Sequence, residues 1–446
     1  MTHRLRLERL RSGTSRQPRE VSLGLRENAA QFALLVAINA FVGAMVGLER
    51  STLPLVGRDD FGLSSSAAVL SFIVAFGLSK AFTNLAAGAL AERVGRRRLL
   101  VLGWVLALPV PLLIAVAPSW SFIVAANVAL GLNQGLAWSM TVVMKIDLVG
   151  PRRRGLALGL NEASGYGGVA VAAAASGLLA ADFAARDVLV AAGFAVAVSA
   201  LLLSAFFVRD TSRHVALEQA EHVSGDHRSA PDPASTFAAA THRTPALRAC
   251  SQAGLVNNLN DALAWGLVPL FLAAHGASVS AIGLVAGLYP AVWGAGQIAT
   301  GAWSDHVGRK PLIVAGMWLQ AAALGLLALS DGRVLPAAAS AVILGTGTAL
   351  VYPTLIAAIS DHVAPVSRAR TVGVYRFWRD MGYVAGGLIA GVAADLISFA
   401  TAIALVAVLT GLSGLWVSLD LPVSASQPGE PPQPKVVAPF SSAPGR

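Results

Sequence analysis

The residues of this chain best placed to do chemistry are ionisable side chains standing inside otherwise apolar runs. Asp261 closes the stretch Asn257-Asn258-Leu259-Asn260-Asp261. Glu162, Glu49 with its neighbour Arg50, Lys80, Lys145, and the trio Arg376, Arg379 and Asp380 are embedded in the same way. In hydrocarbon such groups are costly, and they face a water-filled path or one another. A carboxylate held there can take up and release protons near neutral pH, because burial disfavours its charged form. Asp261 is the first candidate for that role, since it is central in its run and its asparagines could hold a solute. Glu162 and Glu49 follow, and for each of the three a structural pairing with Lys or Arg competes. Lys80, Arg376 and Arg379 could instead hold an anionic solute. Arg50, Asn133, Asn257, Asn258 and Asp380 would be further polar contacts. Trp265, Tyr289, Trp293, Tyr352, Tyr375 and Trp378 would form aromatic walls, unless they serve only in helix packing. Arg376 and Asp380 are four apart, the spacing of an intrahelical ion pair.

These residues need long apolar elements to carry them. The chain has 446 residues, of which 55% are hydrophobic and 13% charged. Its apolar runs are long enough to cross a bilayer, which takes about 20 residues as a helix. Twelve spans are expected, at 30–55, 65–91, 98–117, 120–146, 155–180, 186–208, 246–273, 279–303, 311–330, 334–360, 369–396 and 399–419. The organisation read from them is a basic tail (1–29), a first bundle of six spans (30–208), a linker (209–245), a second bundle (246–420) and a Pro- and Ser-rich disordered tail (421–446). The first 27 residues carry seven arginines and no apolar core, unlike a signal peptide. The linker is polar and lacks helix periodicity.

One loop occurs twice. Gly88-Ala-Leu-Ala-Glu92-Arg93-Val-Gly95-Arg96-Arg97-Arg98 returns 213 positions later as Gly301-Ala-Trp-Ser-Asp305-His306-Val-Gly308-Arg309-Lys310. An echo at half the chain length indicates a duplicated architecture. Asp147 and Asp361 are 214 apart, as are Pro151 and Pro365, Gly159 and Gly373, and Glu162 and Arg376. Glycines allow tight turns at the helix ends, Glu92 and Asp305 can face a helix N-terminus, and Arg96 and Arg309 need carboxylates, which Asp147 and Asp361 offer. Glu162 and Arg376 put opposite charges at equivalent positions and could pair across a shared cavity.

The repeated Gly-x-x-x-acid-x-x-Gly-Arg-basic pattern resembles the loop signature of the major facilitator superfamily. That resemblance implies an all-α membrane fold of twelve helices in two pseudo-symmetric six-helix bundles. It also implies a loop network of Gly88, Glu92, Gly95, Arg96 and Asp147, with Gly301, Asp305, Gly308, Arg309 and Asp361, latching the halves together. Gly131-Leu-Asn133-Gln134-Gly135 is similar to the family's Arg-x-x-Gln-Gly motif, with Gly131 where the drug-antiporter branch has an arginine associated with proton transfer. Gly165-Tyr166-Gly167-Gly168 has no Gly-Pro pair of the antiporter signature.

The arginine-rich loops, the linker and the N-terminal tail fall on one side, which the positive-inside rule makes cytoplasmic. Both termini are therefore expected in the cytoplasm, at the inner membrane of a bacterium. The net charge of +9 serves orientation, and no nucleic-acid partner is expected. The single Cys250 excludes an intrachain disulfide and a cysteine-based zinc site. His214, His222, His227 and His242 have spacings unlike paired ligands, and no metal or cofactor is expected. No phosphate-binding loop argues for ATP, and the spans hold no hydrolase or zincin constellation. The function these features favour is secondary transport of small solutes by alternating access. Proton-coupled efflux of a drug-like or toxic compound by a monomer is the first form, and proton-coupled movement of an organic or inorganic ion is the second. A non-transporting sensor with a transporter fold is the rival of another class.

Overall fold

A computed structural model describes residues 21–150, 154–222, 233–363 and 365–422. Among them every regular element is helical, as backbone groups without water require. The first half comprises α1 (Ala29–Asp59), α2 (Ser66–Val94), α3 (Arg96–Ala107), α4 (Pro109–Val116), α5 (Trp120–Val149), α6 (Arg154–Leu179) and α7 (Ala185–Phe206). Pro109 has no N–H to continue the ladder, so α3 and α4 form one rod broken at Leu108. A connecting segment holds α8 (Ser212–His222), α9 (Pro233–Ala238) and a π-helical turn, Ala239–Arg243. The second half comprises α10 (Pro245–Ala262), α11 (Val268–Ala274), α12 (Val279–Val307), α13 (Arg309–Ala328), α14 (Val334–Asp361), α15 (Pro365–Leu396) and α16 (Phe399–Asp420). A π-helical turn, Leu263–Leu267, joins α10 to α11 directly after Asp261, just ahead of Pro269.

With α3–α4 and α10–α11 each counted as one rod, the described residues form twelve, at the positions expected from hydropathy. Eight are long and apolar enough to cross a bilayer by length and composition alone. The other four, α5, α6, α10–α11 and α15, carry the buried polar side chains Gln134, Glu162, Asp261 and Arg379. Such polar groups lower the mean hydropathy of the helices that carry them.

α1 packs on α6 and α2 on α5, while α10 packs on α15 and α12 on α14. Two seams join the halves, α6 against α12 and α2 against α15. At the end away from the arginine-rich loops both seams are shut on backbone. A methyl group placed on Gly283 would stand 2.6 Å from Gly177 Cα, and one on Gly391 would stand 2.7 Å from Ala67 Cα. Asp395 of α15 also crosses the seam there. It accepts hydrogen bonds from Ser65 Oγ (2.6 Å), Ser66 N (2.5 Å) and Ala67 N (3.0 Å), at the N-terminus of α2.

The described parts of the polar linker are largely helical. Ser212–His222 is helical because its first turn is pinned: Asp210 accepts from Ser212 N at 2.9 Å, and His214 lies 3.3 Å from Asn28 Oδ1. Farther along, Phe237 packs on Phe377 and Trp378 of α15, and Trp378 Nε1 donates to Thr241 at 2.9 Å. Tertiary anchoring supplies here what the local pattern lacks.

Candidate functional site

A charged cluster crosses between the halves at the depth of the apolar runs. Lys80 of α2 pairs with Asp380 of α15 at 3.4 Å, and Asn84, one turn farther on, donates to the other Asp380 oxygen at 2.5 Å. Asp380 therefore pairs across the seam and not with Arg376 on its own helix, because α15 turns this face toward α2. Arg379 is buried and donates to the Tyr166 hydroxyl of α6 at 2.9 Å. Its guanidinium stands 4.1 Å from the centre of the Tyr352 ring and 5.9 Å from that of Trp293, inside the range of a cation–π attraction. The Tyr166 and Trp293 rings approach with centroids 3.5 Å apart.

Asp261 is fully buried in the second half beside this cluster. One carboxylate oxygen accepts from the Tyr289 hydroxyl, and the other accepts from Tyr383 at 3.4 Å. Arg50 reaches in from α1, over Phe76 (4.6 Å), Phe72 (5.5 Å) and Trp265 (5.6 Å), and none of its three nitrogens has a hydrogen-bond partner. Asp261, Lys80, Arg50 and Arg379 thus form one electrostatically linked group contributed by both halves, in which Glu49 is the stronger counter-charge of Arg50 and Asp380 that of Lys80.

Toward the arginine-rich end the α6 side of the seam parts to leave a cavity of about 510 Å3, of the size that holds small organic molecules. Its walls are mostly apolar, including Leu156, Ile298, Pro353 and Ile356; Glu162, Gln297 and Arg376 are polar points, and Ser304, Arg309, Tyr352 and Ser360 add others. Glu162 does not pair with Arg376, although both line this space. Glu162 Oε1 accepts from Trp138 and Asn161, each at 3.1 Å, and Oε2 has no partner. Equivalent positions in two halves need not face each other, and here the Trp138 and Asn161 donors of its own half turn Glu162 toward themselves. Gln297 was not among the sequence candidates. It follows Tyr289 and Trp293 at intervals of four, one helical face, and that was the available signal.

Both loop glycines lie in the left-handed region that side chains rarely adopt, with φ of +92° at Gly95 and +93° at Gly308. Arg96 Nε lies 2.6 Å from Asp147 Oδ2, and Arg309 Nε donates to Asp361 Oδ2 at 3.0 Å. Each of these pairs joins two helices of the same half, so the contacts described brace a half internally where a latch between halves was expected. Gly88 and Gly301 lie within α2 and α12. The side chains of Glu92, Asp305 and His222 lie outside the described residues, as do His227 and residues 1–20 and 423–446 of the tails. The linker instead reaches the first loop: Thr211 Oγ1 donates to Asp147 at 2.5 Å, and Arg97 N donates to Asp210 at 3.2 Å.

Several candidates turn away from the pathway. Asn257 accepts from Gln320 at 3.0 Å, and Asn260 donates to Gln320 and accepts from Thr410, all inside the second half. Asn258 is buried with its amide unpartnered. Asn133 donates to Gly103 O at 2.9 Å in the core of the first half. Glu49 faces Asn127 and a small cleft between α1, α4 and α7, away from the seam. Tyr352 lines the cavity, and Trp293 backs it through Tyr166.

The family model described as Major Facilitator Superfamily matches residues 29–251 and again 250–444. A curated relative, the inner membrane transport protein YajR of Escherichia coli (strain K12), is 34% identical over 104 residues. That match spans 23% of this chain and 22% of the relative's length.

Proposed function

This chain belongs to the Major Facilitator Superfamily, whose members are membrane transporters and not enzymes, and on that premise we propose that it is a proton-coupled exporter of drug-like solutes. The supporting observation is the pairing of a cavity on one side of a buried charge cluster with a seam shut on backbone on the other. Alternating access requires such a one-sided opening, exchanged between ends as two repeats rock about a central site. The apolar walls favour a lipophilic body. The positive-inside rule puts the open end, the linker and both termini in the cytoplasm, where an exporter loads.

Asp261 is the proposed proton carrier. As a carboxylate it adds to Glu49 and Asp380 in balancing Arg50, Lys80 and Arg379, which come from both halves, and so helps hold the seam shut. Protonation removes one negative charge from the cluster, leaves the cations opposed by fewer acids, and favours separation at the closed end. Lys80 and Asp380 form the second charge pair that must part in the same motion. Glu162 is placed at the solute cavity, and the loop pairs Arg96–Asp147 and Arg309–Asp361 keep each bundle rigid while it rocks. The protein works as a monomer, since each half supplies part of the one pathway.

The test is reconstitution into liposomes with an imposed pH gradient and a panel of lipophilic solutes. Wild-type protein is expected to drive solute movement against its gradient with counterflow of protons. Asp261→Asn is expected to exchange solute while losing gradient-driven accumulation. Equal accumulation by the variant removes Asp261 from the coupling, and no gradient-driven movement of any solute by wild type removes the transport reading.

A further inference from the structure

The cavity beside α6 offers three polar features that the protein itself leaves unanswered. Glu162 is 5% exposed and Gln297 is 4% exposed, yet Glu162 Oε2 and both amide atoms of Gln297 have no hydrogen-bond partner. Buried acceptors and donors in that condition cost stability unless something else satisfies them. Arg376, half-buried on the same cavity, has no ion-pair partner among the described residues. A carboxylate and a guanidinium therefore border one space without pairing with each other; the second guanidinium there, Arg309, is paired with Asp361, and much of the remaining wall is hydrocarbon.

We propose that this cavity binds an amphipathic zwitterion, with its ammonium on Glu162 and Gln297 and its anionic group toward Arg376, while an apolar body lies along Ile298, Pro353 and Ile356. The assignment rests on the transporter reading above and narrows its substrate class. A lone cation gains Glu162 but meets Arg376, and a lone anion gains Arg376 but meets Glu162, whose charge the buried Lys145 opposes only from within the first half. Only a solute carrying both charges offsets each at once, and Gln297 can accept from the ammonium while donating to a neighbouring oxygen. Tyr352 lines the same space with its ring engaged by Arg379.

Three probes with one hydrocarbon body test the charge rule: homophenylalanine (zwitterion), 4-phenylbutylamine (cation) and 4-phenylbutyrate (anion). Their affinities are measured by calorimetry on the purified full chain in detergent. Homophenylalanine is expected to bind at least tenfold more tightly than either singly charged probe. Glu162→Gln keeps an acceptor for Trp138 and is expected to weaken homophenylalanine about tenfold while sparing 4-phenylbutyrate. Arg376→Gln is expected to weaken homophenylalanine similarly while sparing the amine. Each variant is first checked for wild-type elution, so that a lost signal is not misfolding. The proposal is overturned if either singly charged probe binds as tightly as the zwitterion, if no probe binds at millimolar concentration, or if both variants bind homophenylalanine like wild type. A liposome panel in which only singly charged solutes move also overturns it and leaves the transport reading intact.

Discussion

Replacing Gly283 by alanine isolates the closed end of the molecule. The added methyl would lie 2.6 Å from Gly177 Cα and 3.2 Å from Ala173 O, against ordinary contacts of 3.4–4 Å. Both neighbours are backbone of α6, so no side chain can swing aside, and the two helices must separate by about 1 Å. Forcing extra volume into a packed contact costs about 1–3 kcal/mol. Gly283 faces the other half, so the penalty falls only on the state in which this end is shut. At about 1.4 kcal/mol per factor of ten, the ratio of open to closed forms rises about 5- to 150-fold. The assay uses the near absence of thiols: Cys250 is the single cysteine and is replaced by serine. A reporter is placed by Ile73→Cys, a position 1% exposed and packed on Gly266 across the seam. Maleimide labelling of the purified protein should accelerate by the same factor. An unchanged rate in a Gly283→Ala protein that elutes normally would refute the reasoning, because the contact would then not be holding the end shut.

Three further outcomes follow from other contacts. Asp395→Ala removes the carboxylate at the N-terminus of α2 while Ser65 still caps Ala68 N; losing about 1 kcal/mol there should speed labelling of the same reporter about fivefold. Arg96→Ala and Asp147→Ala should each lower stability in detergent unfolding, and the double variant should show about 1–3 kcal/mol of coupling, whereas additive losses would exclude a shared contact. Burial lowers the His214 imidazole below its ordinary range. For Asp210, burial raises the carboxyl, but hydrogen bonds from Ser212 and Arg97 N and the charge of Arg96 outweigh it and hold it low. Both groups have folded pKa values below their unfolded ones, so each contribution is present above the unfolded pKa and is lost as pH falls. Amide protection factors over 212–222, normalised to the intrinsic exchange rate at each pH, should therefore fall first below about pH 6.5 and again below about pH 4, and His214→Gln should abolish only the first step.

The fold was legible because hydropathy and the doubled loop report on the same architecture independently. The pairs Arg96–Asp147 and Arg309–Asp361 were legible too, since the two halves place them at matching positions. The partners across the seam were not. Lys80 with Asp380 and Arg379 with Tyr166 depend on how α2, α6 and α15 are rotated about their axes, which no offset along the chain encodes. The same ignorance of rotation made Asn257, Asn260 and Asn133 look like pathway residues when they serve the interiors of their own halves. The helix Ser212–His222 was hidden for another reason: its anchors, Asn28 and the loop at Asp147, lie far away in sequence.

The setting of Arg50 bears on how the molecule is made. Its guanidinium rests on Phe72 and Phe76 of the next helix but also on Trp265, which the ribosome adds 215 residues later. At about 5–20 residues per second that is roughly 10–40 s during which Arg50 has only its neighbour Glu49 and the two rings of α2 to offset its charge. Its final seating must therefore follow insertion of the second bundle, and a first bundle made alone would lack one of the three rings that hold the guanidinium.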